Sequence, residues 1–177
     1  MARFGAQYPC FKAASGTAGI VLGKLVSANM RINKANAELY ADDGLAESDY
    51  SPLSVQVDVE LDDMTDEIAS ELFGQALSQS GELSVTTEDA APVGVLGYYT
   101  VHRRGGVRKY VARVYTNAQA QPGDENAQTK GSSTSFQTRS VSFICMPDES
   151  TGEIYKQQTC DTAADAKTFI KTACGIT

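Results

Sequence analysis

A chain of 177 residues, 42% hydrophobic and 21% charged, has the composition of one folded domain and not of a disordered polymer. A net charge of −7 argues against general nucleic-acid binding, which needs a basic footprint to displace counterions from phosphate. A single histidine excludes a histidine-based zinc site within one chain, and no apolar run of about 18 residues offers a helical membrane span. The sum conceals a division. Residues 35–102 hold 15 acids and no Lys or Arg, so that stretch carries −15 and the rest of the chain +8.

Met1 to Phe11 lacks the apolar length of a secretory signal. Cys10, Cys145, Cys160 and Cys174 show no C-x-x-C spacing, and they read as reduced, buried thiols. Gly16 to Leu25 resembles a phosphate loop only at Gly23-Lys24: Ala18 and Leu25 stand where a Gly and a Ser or Thr are needed. Lys24 to Asn33 alternates, with Val26, Ala28, Met30 and Ile32 on one face, which predicts a half-buried strand. Residues 35–51 have no sustained period and read as a long acidic excursion, with a short strand at Glu38 to Ala41. Leu53 to Leu61 returns to period two, with Asp58 and Glu60 on its polar face.

Asp62, Asp63 and Thr65 offer N-caps for a helix that Gly74 would stop, and a short strand is expected at Glu82 to Thr86. Val93 to His102 and Arg108 to Thr116 form the clearest hairpin signal, centred on Gly105-Gly106. That centre sets Val101 opposite Tyr110, Tyr99 opposite Ala112 and Gly97 opposite Val114. It also sets Arg103 opposite Arg108, and His102 opposite Lys109, as an exposed strand-end histidine. Residues 117–132 have loop chemistry throughout; Ser133 to Met146, with a bulge between Phe136 and Val141, and Glu153 to Gln157 are expected to pair. A final helix is capped at Asp161 or Thr162, carries Ala166, Phe169, Ile170 and Ala173 on its apolar stripe, and stops at Gly175. The result is a single domain over residues 1–177, α+β and mainly β, with six or seven strands, two short helices and long loops at 35–52 and 117–132.

No enzyme constellation emerges. His102 has no nucleophile signature nearby, Asp42-Asp43 and Asp62-Asp63 match no Ca²⁺ loop, and RGG occurs once, at Arg104. The chain reads as a non-enzyme without metal or cofactor, and its divided charge as a device for self-assembly.

The strings AELYADDGLAESD (37–49), VDVELDDMTDEI (57–68), GVRKY (106–110) and TSFQT (134–138) together resemble the major tail protein of long-tailed phages, more narrowly the tail tube protein of siphophages. That resemblance implies a β-sandwich or barrel-like tail-tube fold with a flanking helix and a short C-terminal helix. It also implies hexameric rings of a structural virion protein, stacked into a conduit for genome ejection and assembled in the host cytoplasm with tape-measure and tail-terminator or initiator proteins. Genomic DNA would pass as repelled, non-specific cargo, with Asp58 and Glu60 as lumen-facing candidates. Contacts between subunits would involve Tyr40, Asp42, Asp43, Glu47 and Asp49 from the acidic excursion and Arg103, Arg104, Arg108 and Lys109 from the basic hairpin, with 117–132 a second candidate interface. The tube of a contractile tail or of a phage-tail-like bacteriocin is the nearest rival. A monomeric β-rich carbohydrate- or receptor-binding module is the rival of another class, weakened by the absence of Trp.

Overall fold

Alternation of apolar and polar residues dictates most of the sheet, and bulges decide the rest. The computed structural model describes residues 2–35, 37–41, 44–123 and 138–176. In chain order the elements are β1 (Ala2–Ala13), β2 (Ile20–Val21), β3 (Leu25–Lys34), β4 (Ala37–Ala41), β5 (Gly44–Asp49), β6 (Pro52–Leu61), α1 (Asp66–Phe73), β7 (Ala76–Leu77), β8 (Leu83–Ser84), β9 (Val93–Arg104), β10 (Val107–Pro122), β11 (Arg139–Cys145), β12 (Tyr155–Cys160) and α2 (Ala163–Cys174). The protein is therefore α+β and mainly β, with more strands than the alternation alone announced.

One antiparallel sheet runs in the order β2-β1-β9-β10-β11-β6-β3, with β12 also on β10. β1 and β3, near opposite ends of that order, come into contact, so the sheet wraps into a barrel-like shape. Its interior is filled by Phe11, Leu96, Tyr115, Phe143 and the β6 row Val55, Val57, Val59 and Leu61. Tyr115 donates across this interior to Met30 Sδ at 3.2 Å, linking β10 to β3. Outside the wrap, α2 buries Ala166, Ile170 and Cys174, spaced four apart, against Tyr99, Val101, Ala112 and Val114. Burial of Ile170 alone is worth about 1.5–3 kcal/mol.

The hairpin register forms as the two-glycine turn requires. Gly105 and Gly106 both take positive φ, +57° and +84°, and Tyr110, Ala112 and Val114 stand opposite Val101, Tyr99 and Gly97. Both helices are closed by the residues their sequences offer. Thr65 accepts from Ile68 N and Thr162 from Asp165 N, and Gly74 and Gly175 end the helices in the left-handed region. Asp62 is not a cap: it accepts from Lys24 N at 2.8 Å and ties the end of β6 to the start of β3.

Several expectations are corrected. Residues 35–51 are not an irregular excursion: β4 and β5 pair, and Ala35 N donates to Ser51 O at 2.8 Å, so the β3–β6 hairpin continues as a projecting arm. Residues 117–122 are strand, because a register shift between Tyr115 and Ala118 lets β10 go on to pair with β11. β11 and β12 do not pair with each other. Both join the same edge of β10, β12 beside Tyr110 to Tyr115 and β11 beside Ala118 to Pro122. The expected strand at 82–86 shrinks to β8, which pairs with β7. Val26 leaves the apolar face: a register shift between Leu25 and Ser27 turns it out to 51% exposure, while Ala28 and Met30 pack on the core. The bulge expected between Phe136 and Val141 falls partly outside the described residues.

Candidate assembly surfaces

Antiparallel pairing fixes which residues share an end of the sheet. β3, β9, β11 and β12 run one way, and β1, β6 and β10 the other. The β9–β10 turn and the β4–β5 arm therefore leave the sheet at the same end, and α1 with β7 and β8 at the opposite one.

The turn end is basic. Arg103 and Arg108 are directly opposed, Arg104 stands across from Val107, and Arg3 on β1 lies beside His102, so three neighbouring strands each contribute a cation. Arg103 and Arg108 are exposed. Lys109 is already engaged within the chain, in an ion pair with Asp161, the residue that leads into α2. An exposed pair of this kind is worth about 0–1 kcal/mol, so Lys109 can exchange partners at little cost.

The arm carries its acids on the same end. Tyr40 is paired with Leu45 on β4, and Glu47 with Leu39 on β5. Asp49 is exposed and accepts from Ser51 N at 2.9 Å and from Ser51 Oγ, which lowers its pKa. Asp42 and Asp43 lie outside the described residues, as does most of 117–132 beyond β10. At the far end, residues 62–89 contribute eight acids and no base, and most of these side chains are exposed.

Asp58 and Glu60 sit together on the outer face of β6, away from the packed interior. Asp58 accepts from Ser142 Oγ at 2.7 Å and from Gln56 Nε2 at 2.9 Å; these bonds, with Arg31 nearby, hold its carboxyl below the ordinary range. Glu60 is lowered in the same way by Thr138 and then by Ser27, whose Oγ donates at 3.0 Å. Both are ionised at neutral pH and fixed in position on the sheet.

His102 is not an exposed strand-end residue. It is 6% exposed, with Nε2 bonded to Thr100 Oγ1 at 2.9 Å, on a strand flanked by β1 on one edge and β10 on the other and with its side chain on the inner face of the wrapped sheet. Arg113 was not singled out by sequence, yet it is 9% exposed on the same face. Its signal was a lone cation inside the apolar run Val111-Ala112-Arg113-Val114-Tyr115.

All four cysteines are free and buried, as expected. Among the described residues no helix is long and apolar enough to cross a membrane, and no group of three or more His, Cys, Asp or Glu is placed to hold a metal ion. No family model matches the chain, and no curated protein sequence matches it.

Proposed function

We propose that this chain is a structural subunit that assembles with copies of itself into rings and stacks those rings into the tube of a phage tail, a conduit for DNA. The observation that carries this reading is the placement of charge along the strands. The acidic arm and the basic turn share one end, so a copy rotated about an axis along the strands brings one to the other, and repeated rotation closes a ring. The acids of 62–89 occupy the opposite end, so a translated copy sets them against a basic turn end, and repetition gives a stack.

Asp58 and Glu60 support the conduit part of the reading. Fixed carboxylates on a sheet face repel phosphate, whereas even 6–10 basic contacts would hold DNA by roughly several orders of magnitude in affinity at low salt. The sequence resemblance to siphophage tail tube proteins points the same way, and the virion is then the protein's location.

Negative-stain microscopy of the concentrated protein tests the reading. Rings or tubes are expected, and they should be lost in 1 M salt, where the Debye length is about 3 Å, and in Arg104→Glu. A protein that stays monomeric at every concentration and ionic strength overturns the proposal. Tubes that form equally well with Arg104→Glu remove its electrostatic part.

A further inference from the structure

The interior of the wrapped sheet is apolar at its α1 end and polar towards the turn end. Between β1 and β3, which touch without ladder pairing, a cleft of about 390 Å³ opens inward. Gly5 and Ala6 form one wall, the consecutive residues 26–30 form the other, and Tyr98, Thr100 and Arg113 form the floor. Five consecutive residues can line a cleft only through a strand edge, and β3 pairs with β6 on its other side, so this wall presents unpaired backbone groups.

Arg113 is the exceptional group there. It is nine-tenths buried, and its Nε–H donates to Gln157 Oε1 at 2.9 Å. Among the described residues no carboxylate pairs with it. An arginine carries five N–H donors, and Arg113 lines the cleft, so donors beyond Nε–H can meet a ligand there. A guanidinium in a largely buried position and without a counter-charge gains from a bidentate anion, whose two oxygens match its planar fork. Among the described residues Arg113 is the one cation lining this cleft, so the ligand that balances it there carries one negative charge. That favours a carboxylate over a phosphate dianion.

We propose that the β1–β3 cleft is a carboxylate-binding site in which Arg113 grips the anion in a forked contact and Thr100 and the β3 edge line its approach. The site stands whether or not the chain forms tubes. The carboxylate has two sources, a free small acid or an acidic side chain of a second copy, whose arm leaves the sheet at the turn end.

The test follows the ¹⁵N resonance of the Arg113 Nε–H in the intact chain during titration with N-acetylglutamate amide, with the glutamine analogue as neutral control. A saturable shift is expected with the acid alone, and Arg113→Lys, which keeps the charge and loses the fork, should weaken binding about tenfold or more. Sedimentation of wild type and Arg113→Gln separates the sources. Self-association weakened by the substitution assigns the site to a second copy, and a saturable shift without it assigns the site to a small acid. No acid-specific shift together with self-association indifferent to Arg113 overturns the proposal. Because the titration needs only the wild-type chain, a poorly folding variant does not rescue the idea.

Discussion

Arg103 on β9 and Arg108 on β10 stand directly opposite each other, two exposed cations held in register by a two-glycine turn. Like charges across a ladder destabilise it, so this pairing lowers the stability of the isolated subunit. Arg103→Glu should therefore stabilise the isolated chain by about 0.2–1 kcal/mol while reducing its assembly. Thermal unfolding of the monomer and sedimentation of concentrated samples give the two readouts. Movement of both in the same direction would remove the assembly role of this pair.

The packing of α2 has one narrow point. A Cβ placed on Gly97 would lie 2.7 Å from Ile170 Cγ2 and 3.4 Å from Cys174 Sγ. Gly97→Ala should cost about 1–3 kcal/mol through overpacking, and Ile170→Ala about 2–5 kcal/mol through the cavity it leaves. In the double variant the alanine at 97 gains room, so the combined loss should fall short of the sum of the single losses. Denaturant unfolding of the four proteins completes the cycle.

The polar face of β6 gives a pH prediction. Asp58 titrates below its ordinary value of 3.8, chiefly because of Ser142. A carboxyl lowered in the folded state contributes stability that is fully present above the unfolded value and is lost as pH falls through the folded one. Ser142→Ala should raise the Asp58 pKa towards 3.8 and move acid unfolding to higher pH. Asp148, held at about 2 by Ser150 and Thr151, should not move and serves as the reference in a carboxyl ¹³C titration.

Burial pushes the thiols of Cys10 and Cys145 up to about 12 and that of Cys174 to about 11. The thiolate is the reactive form, so these groups are inert in the folded chain at pH 8. A thiol reagent should label them only at the rate of unfolding and should find four cysteines after denaturation. Labelling of Cys10 or Cys174 faster than unfolding would show that the α2 layer opens locally.

How much of this protein its sequence determined by itself can be read from the β9–β10 hairpin and the two helices. Their alternation, glycine turn and glycine stops are local, and each residue's conformational preference agrees with its neighbours', so the hairpin's register and the helices' C-terminal stops were legible before any tertiary contact was considered, whereas the far end of β10 was not. β1 was not legible, because shifts between Phe4 and Ala6 and between Gln7 and Cys10 break its period, with Tyr8 at φ +60°. Nor was the sharing of one β10 edge by β11 and β12, since strands distant in sequence choose partners by the surface they bury together and not by local propensity. The same reason explains the candidate sites. Composition and order announced an acidic stretch and a basic turn, but strand direction alone set the arm beside the turn's end and the acids of 62–89 opposite it. Only the wrap of the sheet buried His102 and turned Arg113, one cation in an apolar strand, into the floor of a cleft.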